Sequence, residues 1–338
     1  MHEAMFYEKL GDEKVICQLC PHYCRVGGGK RGICGVRENR EGKLYSLVYG
    51  KVISLATDPI EKKPLYHFYP GSDAFSLATV GCNLRCVNCQ NYSISQLPRE
   101  REEIEGKDYT PESIVSQAKR SGCRSIAYTY TEPTIFFEFA YDTSRLARRE
   151  LIKNIFVTNG YMNKKVLLKI SSYLDAANVD LKSLSEDFYR KNCGGKLTPV
   201  LETLKLMKKI GIWLEVTTLI IPTLNDSAEE LKRIAEFIVN LGPDTPWHLS
   251  RFYPTYKLND LPFTSTETLH LARQIGLEAG LRYVYTGNVP GDEGENTYCY
   301  NCGRVLIRRH GYRIEKFYLE EGRCKSCQTR IDGVGMEK

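Results

Sequence analysis

The stretch Gly81-Cys82-Asn83-Leu84-Arg85-Cys86-Val87-Asn88-Cys89-Gln90-Asn91 spaces three thiols as C-x3-C-x2-C, directly after the short apolar run Phe75 to Val80. Three is the informative number. Four thiolates would close a tetrahedral zinc site or saturate a cluster, whereas three on one loop can hold a [4Fe-4S] cubane and leave one iron open to another ligand. A zinc site completed from elsewhere is the competing reading, with His67, His22 and Cys123 as available fourth ligands. Position argues against it, because a loop at the C-terminal end of a first parallel strand is where β/α folds put their chemistry.

Outward from this loop, from about Phe75 to Thr286, short β-branched runs alternate with longer amphipathic stretches, the signature of β/α units around a parallel sheet. The strands are expected at Phe75 to Val80, Ser125 to Tyr130, Asn154 to Thr158, Ala176 to Leu181, Trp213 to Ile221, Trp247 to Phe252 and Arg282 to Thr286. Pro111-Glu112 opens one helix, Asn163 caps another, and Asp226-Ser227 begins the stretch Glu229 to Asn240 that Gly242-Pro243 stops. The flanks break this rhythm. Residues 1–70 read as an N-terminal Cys-rich module with a β-rich lead-in, 71–286 as the core, and 287–338 as a C-terminal knuckle.

The chain has 338 residues, 42% of them hydrophobic, with 47 basic against 41 acidic side chains and a formal charge of +6. That composition is globular. The basic excess is scattered and reads as solvated surface, with an acidic partner such as RNA left open. Neither a membrane-spanning run nor a signal-peptide core is seen, so a soluble, cytoplasmic protein is expected and the 13 cysteines are read as metal or cluster ligands in a reducing compartment.

Those cysteines fall into three groups. Cys299-x2-Cys302 and Cys324-x2-Cys327, with the strand-like Val305-Leu306-Ile307 and Arg313 to Leu319 between them, form a zinc-ribbon-like pattern suited to tetrahedral zinc. For Cys17, Cys20, Cys24 and Cys34 the short gaps fit either a zinc knuckle or an auxiliary iron–sulfur cluster. Zinc is the expectation there and would supply folding energy only. Cys123 and Cys193 stand alone; Cys193, on the active face, is read as a buried thiol, with a hydrogen-atom relay as the sharper alternative.

The three-cysteine loop on a β/α core of this length resembles the radical S-adenosylmethionine (radical SAM) superfamily, more closely its pyruvate formate-lyase activating enzyme-like branch. Within that branch the chain looks like the AmmeMemoRadiSam-system radical SAM enzymes. The resemblance is carried by Cys17-x2-Cys20-Pro21-x2-Cys24 with Gly32-x-Cys34-Gly35-Val36-Arg37, by Asp58-Pro59-Ile60-Glu61-Lys62-Lys63-Pro64-Leu65-Tyr66-His67-Phe68, by the three-cysteine loop, by Tyr128-Thr129-Tyr130-Thr131-Glu132-Pro133-Thr134, and by Gly287-Asn288-Val289-Pro290-Gly291 leading to Cys299. It implies a partial (β/α)6 barrel with small Cys-rich modules at either end. It also implies a [4Fe-4S] cluster on Cys82, Cys86 and Cys89 whose open iron chelates SAM, and an electron donor of the flavodoxin or ferredoxin type. Reductive cleavage then yields a 5′-deoxyadenosyl radical that abstracts hydrogen.

The same resemblance assigns further residues. Glu132 occupies the place of the Gly-Gly-Glu-like motif that binds the SAM amino group, a charge-assisted bond well suited to a carboxylate; the plain alternative is a helix N-terminal acid. Thr158 matches the SAM carboxylate site, Asp180 a cation-holding acid, and Lys182 a group near the methionyl moiety. Strand alternation puts Asp180 and Lys182 on one face. The sequence departs from the branch at Asn88, where an aromatic usually packs by the adenine, so Tyr92 is taken as a substitute; at Val157, where an acid is usual; and at Thr217, in place of an arginine. Arg251 is equally a carboxylate partner at the barrel mouth and a sheet-end arginine.

The expectation is therefore a radical SAM oxidoreductase of unknown substrate: similarity to activating enzymes suggests a polypeptide glycine, with small-molecule or RNA substrates open. A non-catalytic zinc- or RNA-binding protein and an adaptor that works only beside a partner are the alternatives from other classes.

Overall fold

A computed structural model describes residues 1–337. Its centre is one eight-stranded sheet: β1 Ser54–Pro59, β2 Asp73–Ala78, β3 Ser125–Tyr128, β4 Lys153–Thr158, β5 Ala176–Asp180, β6 Trp213–Ile220, β7 Trp247–Arg251 and β8 Val284–Gly287. The strands stand side by side in chain order, and β1 and β8 are its two edges. Every neighbouring pair from β2 to β8 is parallel; only β1 runs antiparallel to β2, with Ser54 opposite Ala78.

Six helices return the chain between the parallel strands: α1 Pro111–Arg120, α2 Phe137–Arg149, α3 Lys164–Ile170, α4 Leu197–Lys209, α5 Ala228–Leu241 and α6 Thr266–Glu278. Six consecutive β/α units followed by β8 make a partial (β/α)6 barrel, open because its edges do not meet. All four residues of β3 are buried, as parallel strands covered on both faces require. All seven strands expected from periodicity are present, and the lead-in contributes β1.

Local chemistry accounts for the helix starts. Thr110 and Ser113 form a reciprocal capping box with Pro111 in the first turn of α1. Ser227 caps α5 by accepting from Glu230 N, and Gly242 follows its end. Asn163 stands at the N-cap of α3 but makes no side-chain cap bond; its amide nitrogen instead donates to Gln18 O at 2.6 Å, so a tertiary contact overrides the local cap.

Two buried arginines fasten the flanks to the barrel. Arg37 meets Glu138 of α2 at 2.8 and 3.1 Å and Met5 O at 2.7 Å, and the side chains of both ion-pair partners are 1% exposed. Losing one partner of such a pair costs about 3–5 kcal/mol. At the other end Arg309 donates to Thr297 Oγ1 at 2.7 Å and Tyr66 O at 3.1 Å, holding the hairpin Val305–His310 and Arg313–Phe317 against the segment that leads into β2. Among the described residues no helix is long and apolar enough to cross a membrane.

Candidate active site

A cavity of about 510 Å³ opens at the C-terminal ends of the strands, within the size range of small-molecule sites. Each parallel strand contributes. The loop after β2 brings Cys82, Cys86 and Cys89; after β3 comes Glu132; β4 ends in Thr158, with Asn159 next; β5 ends in Asp180, two residues before Lys182; β6, β7 and the turn after β8 supply Thr217, Ser250 and Asn288. A second cavity, about 580 Å³, lies against α3, α4 and the Pro21–Tyr23 turn and is lined by none of these residues.

The cysteine loop is clasped from both sides. Arg85 N donates to Cys193 O at 2.8 Å and Val87 N to Asn192 O at 2.9 Å. Gly194 follows with φ +70°, and a Cβ there would stand 2.4 Å from Arg85 Cγ, so only glycine lets the turn close on the loop. Arg99 reaches from the other side to Leu84 O at 3.0 Å and to Cys82 O.

Nitrogen and hydroxyl groups surround the sulfurs. Cys82 Sγ accepts from Leu84 N at 3.4 Å and Asn159 Nδ2 at 3.7 Å, and Cys89 Sγ lies 3.2 Å from Ser95 Oγ. Burial pushes the Cys82 thiol well above its ordinary value, with Glu132 adding to it, and burial likewise raises Cys89. Cys86 goes the other way, to about 7, chiefly through a hydrogen bond with the buried Cys193 thiol. Cys193 is thus a buried neighbour of Cys86. Among the described residues none of the three residues available as a fourth zinc ligand gathers with the loop's thiols within 4.8 Å; His22 bonds Asn83 O at 2.7 Å, His67 bonds Asp332 O at 2.6 Å and Tyr285 Oη at 2.5 Å, and Cys123 contacts Thr57.

Glu132 is buried and richly held. Its Oε1 accepts from Thr134 N at 3.0 Å, Thr134 Oγ1 at 2.5 Å and Thr158 Oγ1 at 2.7 Å, while Oε2 accepts from Asn159 N at 2.8 Å. It stands at the N-cap of the 3-10 turn Pro133–Phe136, so the helix-end reading of this acid is also true. Burial raises its carboxyl, and the four donors oppose that shift. Lys182 Nζ meets Asp180 Oδ2 at 2.8 Å. Burial opposes the Lys182 ammonium, yet Asp180, Cys86 and Cys193 together hold its pKa well above the ordinary value.

Tyr92, taken as the adenine contact, falls outside the cavity, and so does Arg251, which was read equally as a mouth and a sheet-end residue. Tyr92 is 40% exposed and stacks on Tyr256 at 4.7 Å, drawn outward by an aromatic partner distant in sequence. Arg251 donates to Thr264 O at 2.7 Å and Thr266 Oγ1 at 3.2 Å, the sheet-end role. Thr217 bonds Asn178 Oδ1 at 2.9 Å. Conversely Lys62, Lys63, Tyr130 and Tyr312 line the cavity without having been singled out. Lys62 and Lys63 are tied to Asp58 at 2.8 and 2.6 Å, and Tyr130 also donates to Asp58. The stretch Asp58 to Phe68 was the only signal for the two lysines.

Among the described residues, Cys299, Cys302, Cys324 and Cys327 alone bring three or more possible ligand atoms within 4.8 Å of one another. Their Sγ pairs lie at 3.5 and 3.7 Å, a spacing that fits four thiolates on one metal ion. The sulfurs of Cys82, Cys86 and Cys89 do not all fit within that span. Three half-buried thiols, not drawn to single-ion spacing and with N–H donors on Cys82, fit a cluster better than a single ion.

A parallel barrel with three thiols at its mouth defines a class, and comparison agrees: the chain belongs to the radical SAM superfamily, whose family model matches residues 76–238. It is 53% identical over 337 residues, 99% of this chain and 100% of the other, to the uncharacterized protein MJ0808 of Methanocaldococcus jannaschii. To the pyruvate formate-lyase-activating enzyme of Clostridium pasteurianum it is 28% identical over 170 residues, 48% of this chain and 67% of that one. The crystal structure of Streptococcus suis SuiB bound to S-adenosylmethionine shares the fold, with TM-score 0.50 and 13% identity over 68% of this chain and 53% of that one. Radical SAM membership implies a [4Fe-4S] cluster and SAM as cofactors.

Proposed function

We propose that the protein reductively cleaves SAM and uses the resulting radical to abstract hydrogen from a polypeptide glycine, as an oxidoreductase of the activating-enzyme kind served by a flavodoxin- or ferredoxin-type donor. The observation that carries this reading is the meeting of Cys82, Cys86 and Cys89 with Glu132, Thr158, Asp180 and Lys182 in one cavity. The likeness to the pyruvate formate-lyase-activating enzyme supports the substrate class.

When bound, the cluster supplies the electron that breaks the S–C5′ bond of SAM. The chain's own residues hold and shield the reactants. Cys82, Cys86 and Cys89 would ligate three irons. Glu132 Oε2, with a single protein donor against three on Oε1, would accept from the SAM ammonium. Lys182 would neutralise the SAM carboxylate, with Asp180 keeping its ammonium charged and Thr158 fixing Glu132 in place. In the C-terminal quartet, four thiolates at tetrahedral spacing would take zinc.

The test is anaerobic reconstitution, dithionite reduction and assay for 5′-deoxyadenosine and methionine. Cys86→Ala is expected to abolish both products while leaving the circular dichroism spectrum unchanged; persistence of SAM cleavage in that variant would refute the cluster assignment.

A further inference from the structure

None of Cys17, Cys20, Cys24 and Cys34 lines the catalytic cavity. Cys17, Cys20 and Cys34 are buried and Cys24 half-buried; Cys17 N donates to Cys24 O at 2.9 Å, and a Cβ on Gly32, two residues before Cys34, would stand 3.6 Å from Cys24 Sγ. Ile33 N donates to Cys24 Sγ at 3.4 Å, the kind of N–H···S contact that steadies a ligating sulfur.

Sulfur spacing separates the two metals that such a quartet could take. One zinc ion with bonds of about 2.3 Å draws four tetrahedral sulfurs to about 3.8 Å apart. A cubane seats its ligands on four separate irons, which sets the sulfurs roughly 6 Å apart. The C-terminal quartet, at 3.5 and 3.7 Å, has the first spacing. Among the described residues no three of Cys17, Cys20, Cys24 and Cys34 fit within 4.8 Å, nor do Cys82, Cys86 and Cys89. The N-terminal quartet therefore lacks the close spacing that one zinc ion draws, and in this matches the three-cysteine loop and not the C-terminal quartet, against the zinc expected from its sequence gaps.

The quartet also abuts the three-cysteine loop. His22, between Cys20 and Cys24, bonds Asn83 O at 2.7 Å. Arg99 donates to Ile33 O at 2.6 Å with one nitrogen and to Leu84 O at 3.0 Å and Cys82 O with the others. Gly81, with φ +100°, lies so close that a Cβ would stand 3.1 Å from Cys34 O and 2.7 Å from Val36 Cγ1. Each contact joins a residue in or beside the quartet to the residues from Gly81 to Leu84.

We propose that Cys17, Cys20, Cys24 and Cys34 hold a second [4Fe-4S] cluster, seated against the loop of Cys82, Cys86 and Cys89. The chemistry open to it is one-electron exchange: the N-terminal cluster, reduced by a flavodoxin- or ferredoxin-type donor, is oxidised by one electron as its neighbour is reduced by one. That role, though not the site itself, rests on the radical SAM reading of the cavity.

The experiment uses full-length protein reconstituted anaerobically, with iron, sulfide and zinc analysis and electron paramagnetic resonance after dithionite reduction. The expected content is about eight iron and about eight sulfide per chain. Changing Cys82, Cys86 and Cys89 together to Ala should leave about half of that iron, in a cluster whose signal SAM does not alter. Cys17→Ser with Cys20→Ser should lose the other half and keep a SAM-responsive signal. Reduced wild type should show mutual broadening that neither variant shows. A triple-alanine variant without iron, or wild type with about four iron and zinc in both quartets, overturns the site, and additive, unbroadened spectra overturn the contact. SAM-insensitive spectra in a wild type that holds both clusters would instead leave the site standing and remove the reading of the cavity.

Discussion

Replacing Glu132 by glutamine keeps its size and removes its charge, and the geometry says where the damage falls. Oε1 already accepts from three donors, at 2.5, 2.7 and 3.0 Å, whereas Oε2 accepts only from Asn159 N at 2.8 Å. An amide nitrogen at the Oε1 position would confront three donors, so the new NH2 turns to the Oε2 side. There it meets Asn159 N–H and the ammonium that Oε2 is proposed to accept from. The loss is one hydrogen bond to a charged group, about 1.5–3 kcal/mol. At 1.4 kcal/mol per factor of ten, Glu132→Gln should weaken SAM binding roughly 10- to 150-fold.

The measurement is a SAM titration of the reconstituted variant, by equilibrium dialysis or by the change in the cluster's paramagnetic signal, with iron determined on the same sample. Iron should be unchanged, since Glu132 touches no thiolate ligand directly in its hydrogen bonds. Affinity equal to wild type at full iron content would remove Glu132 from the SAM site and leave it only as the cap of the turn that follows.

Two more outcomes are expected. Cys324→Ser should strip the metal from the C-terminal quartet and lower Tm, with iron content unchanged; iron lost in parallel would show that the ribbon and the clusters are not separate sites. Burial lowers the His67 pKa to about 4, so between pH 6.5 and 4 the unfolded chain binds more protons and stability falls with falling pH, having been fully present above 6.5. From pH 6.5, where the unfolded imidazole is half protonated, to pH 5 this amounts to about 1.6 kcal/mol at 1.36 kcal/mol per unit. Denaturant unfolding across that range should show the slope, His67→Gln should flatten it, and a variant as pH-sensitive as wild type would refute the assignment.

The barrel was legible because parallel strands buried on both faces must be written as near-continuous apolar runs, and Ile126-Ala127-Tyr128 and Ile155-Phe156-Val157 are written so. β1 was less visible. It is an edge strand with a single buried residue, Asp58, and its polar, half-exposed pattern resembles a loop. Spacing along the chain located the ligands of the C-terminal quartet, since two C-x2-C knuckles and a hairpin make a self-contained unit. It could not separate zinc from a cluster at Cys17 to Cys34, because that distinction lies in distances between sulfurs. Tyr92 misled for a related reason, since Tyr256, which takes it out of the cavity, is chosen by tertiary packing; for Arg251, where both readings stood, the contact with Thr264 O selects the sheet-end one.

Asn88 joins these threads. It stands where an adenine-packing aromatic was expected, it lines the cavity, and its buried Oδ1 has no hydrogen-bond partner among the described residues. A buried carbonyl left unpaired costs about 1–3 kcal/mol, which a ligand N–H placed against it would recover. An adenine amino group would be such a donor, exchanging stacking for a hydrogen bond at this position: Asn88→Ala is expected to weaken SAM binding with iron unchanged, and wild-type affinity would remove Asn88 from the nucleotide site. Such an exchange would fit the loop's other features: Arg99 and the Tyr189–Cys193 turn already hold its backbone, so the residue before Cys89 need not be a large anchor and is free to present a polar edge to the cavity.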